Sequence, residues 1–263
     1  MMKFSVLTFI SFFFILSNTS AQNTLEGRIT DAKTGNALAY VNIGVIGKNI
    51  GTLTNDEGKF KISIPESYNS DQLRVSMLGY NPRIYTVSDF RNTLAAEKEI
   101  ALEPSSFQLQ EVAISGKPLK EKILGNHTES QSSTGGFTSN KLGNEIGIII
   151  KIKKSPSYLR SFTASVASKK NKPVKLRLNF YSVKNGLPDT ILLDKNIIVE
   201  APLVKGKLSV DLKPYKIVVE DDFFVSLEWI EDSPGKGLMF SASLFGSPLI
   251  ARETSQGSWE KVG

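Results

Sequence analysis

Glu220-Asp221-Asp222 and Glu231-Asp232 flank a segment that carries Glu228. Grouped acids of this kind are what a glycosidase draws on when it holds two carboxylates about 5–10 Å apart. Adjacent acids at the ends of a strand also make ordinary solvated turns, and a calcium loop would place its oxygen ligands at alternating positions. No catalytic residue is therefore assigned. The chain has one histidine, His127, in a polar stretch, and no cysteine. A zinc site built on several histidines, a catalytic triad and thiol chemistry all lack their parts. No enzyme activity, cofactor or metal is expected.

Aromatic residues are the better candidates for recognition, because sugar rings offer apolar faces to Trp and Tyr while their hydroxyls hydrogen-bond. Tyr158, Tyr181, Tyr215, Trp229 and Trp259 are available. In residues 174–183, Leu176, Leu178 and Phe180 share one strand face and Lys175, Arg177, Asn179 and Tyr181 share the other. A sheet with one buried and one wet face turns the second set toward solvent. Tyr181, Lys175 and Arg177 are thus candidate ligand-binding residues, and Trp259, after Gly257, joins them. Trp229 alternates in phase with Phe223, Val225 and Leu227 and is expected in the core.

The elements that must position these residues read as short strands broken by turn residues. Residues 25–30 alternate and end at Gly35, and residues 40–46 form the next strand. Phe60, Ile62 and Ile64 alternate with lysines and serine after the turn Asn55-Asp56-Glu57-Gly58. Residues 73–77, 84–87 and 99–102 complete this region, and no amphipathic helix is expected to interrupt it. After a Ser-, Thr-, Gly- and Asn-rich stretch at 119–140, strands resume at 145–152, 159–166, 174–183, 191–199, 207–212, 223–230 and 238–245, with Asn185-Gly186 as a hairpin turn.

Lys3, an apolar run over residues 4–16 and the small residues Thr19-Ser20-Ala21 read as an export signal, too short to span a bilayer. The formal charge of +6 is modest for 263 residues. Basic runs at 151–154 and 169–172 could attract anionic lipid or polysaccharide, and they equally discourage edge-to-edge strand pairing. Export excludes nucleic acid as a partner.

Leu25-Glu26-Gly27-Arg28-Ile29, Asp31, Thr34-Gly35, residues 39–43, Gly51-Thr52, residues 54–60 and Leu78-Gly79-Tyr80 together resemble the carboxypeptidase regulatory-like domain. That domain is a transthyretin-like sandwich common in exported proteins of Bacteroidetes-type bacteria. The resemblance implies no peptidase activity, since the family's domain accompanies a catalytic domain without containing it. Residues 109–116 resemble the segment that leads into TonB-dependent transporters, but too few strands follow for a transporter barrel. The second half more loosely resembles jelly-roll or carbohydrate-binding sandwiches.

The sequence therefore predicts an all-β chain. A signal peptide (1–21) precedes a regulatory-like β-sandwich (22–104), a linker and connecting strand (105–140), and a jelly-roll-like β-sandwich (141–263). The expected role is non-enzymatic binding or scaffolding in the periplasm or at the cell surface. The expected partner is an envelope glycan or envelope protein, with peripheral outer-membrane association. The alternatives are an accessory role in TonB-linked uptake, or a carboxylate-dependent glycan hydrolase.

Overall fold

The computed structural model describes residues 24–105, 120–168, 173–201, 206–233, 237–243 and 246–262. The predicted export signal, the segment 109–116 and the basic run 169–172 lie outside these residues. The described chain is all-β, as predicted, and forms two domains with separate hydrophobic cores.

The first domain runs through β1 (Thr24–Asp31), β2 (Asn42–Val45), β3 (Gly51–Leu53), β4 (Lys59–Ser63), β5 (Gln72–Ser76) and β6 (Arg83–Thr86). A helix, α1 (Val87–Ala96), follows, and β7 (Glu99–Leu102) closes the domain. Its sheets have the orders β4-β1-β7 and β3-β2-β5-β6. Between them sit the alternate residues of each strand, among them Ile29, Ile43, Val45, Phe60, Leu73, Val75 and Ile100. The helix corrects the expectation that no helix would occur here. Thr86 caps it, accepting from the Asp89 backbone N–H at 3.0 Å, and Val87, Phe90 and Leu94 lie on its buried stripe. Ile84, Tyr85 and Val87 read as one strand, but the strand ends at Thr86, and Leu94 on the helix covers the sandwich beside Gly27, where a Cβ would collide with it.

The second domain comprises β8 (Thr134–Gly136), β9 (Glu145–Ile150), β10 (Ser157–Tyr158), β11 (Ser161–Val166), β12 (Val174–Lys184), β13 (Leu187–Ile191) and β14 (Ile197–Ala201). It continues with β15 (Gly206–Asp211), β16 (Val218–Val219), β17 (Phe223–Trp229), β18 (Met239–Ser241), β19 (Leu249–Arg252) and β20 (Glu260–Val262). One layer is a seven-stranded sheet of order β13-β12-β17-β9-β19-β20, with β14 also on β12; the facing layer is β15-β11-β18-β8. Leu176, Leu178, Phe180, Val225 and Leu227 fill the space between with Val166 and Leu208. Trp229 is fully buried there, edge-on to Phe137 at 5.3 Å.

Two sequence expectations shift. Residues 134–136, expected in a linker, pair as β8 with β18, and Phe137 beside them enters the second core. The strand expected over 191–199 is two strands, β13 and β14, because the Asn185-Gly186 turn starts a hairpin at once. Both turn residues take left-handed backbone conformations, with φ 54° and 73°, as a two-residue hairpin requires.

Candidate functional site

Alternation along β12 sends Leu176, Leu178 and Phe180 into the core and Arg177, Asn179 and Tyr181 to the opposite face of the large sheet. Register then decides what meets them. Arg177 lies opposite Glu228 on β17, Glu228 opposite Glu145 on β9, and Glu145 opposite Arg252 on β19. Four adjacent strands therefore carry one row of charge in the order plus, minus, minus, plus. Two carboxylates side by side across a strand pair repel, and an arginine on each flank compensates them.

The side chains close this row into one network. Arg177 reaches Glu228 Oε2 from Nε at 2.9 Å and from Nη2 at 2.7 Å. Arg252 Nη2 stands 2.6 Å from Glu145 Oε2. The Asn179 amide donates to both acids, to Glu145 Oε1 at 2.9 Å and to Glu228 Oε2 at 3.0 Å, and so bridges the like charges. The Tyr181 hydroxyl (3.1 Å) and the Ser226 hydroxyl (2.5 Å) donate to Glu145 Oε1. Trp259 packs edge-on against Tyr181 and Phe224, and the Arg252 guanidinium lies 4.6 Å from its ring centre.

This face is not wet. Arg177 is 3% exposed, Tyr181 8%, and Glu145 and Glu228 not at all. The expectation that Tyr181 and Arg177 face solvent is thereby overturned, although the residues assigned to each face of β12 are right. Two things cover the face: the first domain and the carboxy-terminal segment. Arg177 Nη1 donates to the Tyr40 carbonyl at 2.9 Å, and Nη2 to Asn42 Oδ1 on β2 at 2.6 Å. Gly44 and Gly51 on the same domain leave room for the Ser255 carbonyl, where any Cβ would collide with it. Lys175 sits half-exposed at the rim, 3.7 Å from Asp56 and 3.6 Å from Glu231. Trp259 is half-buried beside Tyr181 rather than presented as an open platform.

Burial governs the electrostatics. Desolvation pushes the Tyr181 phenol well above its usual range, and the Glu145 charge adds to the shift. Desolvation likewise raises Glu228, against the opposing pull of Arg177. Burial alone would lower Arg252; Glu145, Tyr181 and Glu228 together reverse that and hold it firmly protonated. The cluster is thus a compensated ion network. Its carboxylates are engaged with the two arginines, the Asn179 amide and, at Glu145, the Tyr181 and Ser226 hydroxyls.

The other acids lie elsewhere. Glu220, Asp221 and Asp222 line an open cleft of about 600 Å³ with Lys153, Lys154 and Asn185, at the loop end of the second sandwich. Asp222 Oδ1 accepts from the Ile152 backbone N–H at 2.9 Å. Glu231 pairs with Lys175, and His127 is exposed. Among the described residues, no group of three or more His, Cys, Asp or Glu is placed to hold a metal ion. Sequence reasoning did not find Glu145, Arg252 or Asn42. Each lies at a strand end; cross-strand register brings Glu145 and Arg252 into the row of Arg177, and the docking of the first domain brings Asn42.

Residues 25–114 match the family model described as the CarboxypepD_reg-like domain. The first sandwich is therefore a domain of that family, and the second domain is not covered by a family match. No curated protein matches the chain.

Proposed function

We propose that the chain is a non-enzymatic, exported binding or scaffolding protein of the bacterial envelope, in which the regulatory-like domain is structural and the second sandwich meets the partner. One observation carries the reading. Glu145 and Glu228, the acids that stand side by side on the large sheet, are tied up in buried pairs with Arg252 and Arg177. A hydrolase needs its carboxylates open to substrate and water. The aromatic platform first expected at Tyr181 is committed to Trp259 and the network, so any envelope glycan would meet the loop-end cleft, where Lys153, Lys154, Asn185 and Asp222 offer hydrogen-bonding groups.

A glycan array probed with residues 22–263, with Lys154→Ala and Glu220→Ala as controls, tests this. Selective retention lost in the controls supports glycan binding. A blank array together with recovery of a discrete envelope protein supports scaffolding. Release of new reducing ends that disappears in Glu228→Gln would establish the hydrolase instead.

An accessory role in TonB-linked outer-membrane uptake is the second reading, favoured by the family match continuing to residue 114, inside the segment 109–116. In it, residues 111–115 add as a strand to a partner's sheet. Complex formation that survives their deletion would remove this reading.

A further inference from the structure

We propose that Arg177 and Glu228 form an orienting pin, which selects one docking pose of the regulatory-like domain on the second sandwich and contributes little to stability. This inference is independent of what the protein binds. Glu228 takes the Nε and one Nη of Arg177, which fixes the guanidinium plane relative to the large sheet. The fork then meets two acceptors two residues apart on the first domain, the Tyr40 carbonyl and Asn42 Oδ1. A rigid planar donor satisfies both in only a narrow range of orientations.

Tyr40 bears the mark of this constraint. It is not glycine, yet its φ is 60°, in the left-handed region that side chains disfavour. The carbonyl that this conformation presents is the one Arg177 takes. The Tyr40 side chain is held as well: its hydroxyl donates to Asp56 at 2.5 Å, and Lys175, two residues before Arg177, approaches Asp56 from the second domain.

On the far side of the interface the contacts are again directional. The Gly47 N–H donates to the Gln256 carbonyl at 2.9 Å, the Ser258 hydroxyl to the Gly47 carbonyl at 3.0 Å, and Gln256 Nε2 to Ser76 Oγ at 3.3 Å. Apolar surfaces tolerate sliding, whereas hydrogen bonds from a buried cation do not. A buried ion pair adds little net stability over a well-packed neutral substitute, but it penalises every arrangement that leaves either charge unpaired.

The absence of cysteine makes the test direct. Spin labels at Lys61→Cys and Ser209→Cys, one on each domain at exposed positions, report the interdomain distance distribution. The parent chain should give one narrow distribution. Arg177→Met with Glu228→Gln removes both charges and should broaden it while the melting midpoint stays close to the parent's. A folded double variant with a narrow, unchanged distribution overturns the proposal, as does a lowered midpoint with the distribution still narrow. Should the double variant fail to fold, Asn42→Lys sets a cation against Arg177 from outside the second domain; broadening supports the pin and an unchanged distribution refutes it.

Discussion

Leu176, Leu178 and Phe180 on one side of β12, and Arg177, Asn179 and Tyr181 on the other, are all shielded from solvent, but by different means. The first set meets the four-stranded sheet of its own domain; the second meets a different domain and the carboxy-terminal segment. The apolar face is held by undirected packing. The polar face is held by bonds that each need a specific partner. A polar strand face is therefore no proof of a wet one, and of the residues that look most available for a ligand, Arg177 and Lys175 join the two domains.

The contrast should be largest under truncation. Trp229→Ala on the apolar face should cost about 3–5 kcal/mol by urea unfolding, since its cavity cannot be refilled by any single neighbouring change. Arg177→Met on the polar face should cost about 3 kcal/mol, because Glu228 is left buried without its cation. The difference lies in repair. Adding Glu228→Gln should restore stability to within about 1 kcal/mol of the parent, as a compensated network allows. Failure of that rescue would mean that Arg177 acts through packing.

The pH dependence separates the faces as well. Glu228 has a folded-state pKa raised above 4.5 by desolvation, so its contribution is most favourable below pH 4.5 and declines as the pH rises through the raised value. Relative to the parent chain, the Arg177→Met, Glu228→Gln variant should gain stability as the pH rises from 4.5, measured by urea midpoints. A Trp229→Ala chain should keep the parent's pH profile. Smallest of all is the rim: Lys175→Ala, which removes partly exposed pairs to Asp56 and Glu231, should cost less than about 1 kcal/mol and less still in high salt.

Much of the fold was legible in the sequence because strand alternation and turn residues are local. Phe60 and Ile62, the β12 and β17 faces, and the Asn185-Gly186 hairpin follow from periods of two and from left-handed turn positions. The helix was missed although Thr86, Asp89 and the Val87, Phe90, Leu94 spacing announce it, because Val87 reads as a continuation of the strand formers Ile84, Tyr85 and Thr86. β8, β19 and β20 are three or four residues long and carry too few positions for alternation to register. The cluster itself was half visible: Arg177, Asn179 and Tyr181 share a face by counting alone. Its carboxylates depend on registers between strands far apart in the chain, and the Asn42 contact on how the two domains dock; no local pattern encodes either.

The most direct test is a double-mutant cycle across the interface, Asn42→Ala on the first domain with Arg177→Met on the second, read by equilibrium unfolding. The cost of leaving Glu228 unpaired cancels in the cycle, so the coupling reports the interdomain contact. A coupling of about 1–3 kcal/mol is expected for partners in one buried hydrogen-bond network. Additivity of the two substitutions would contradict a polar face closed by the first domain.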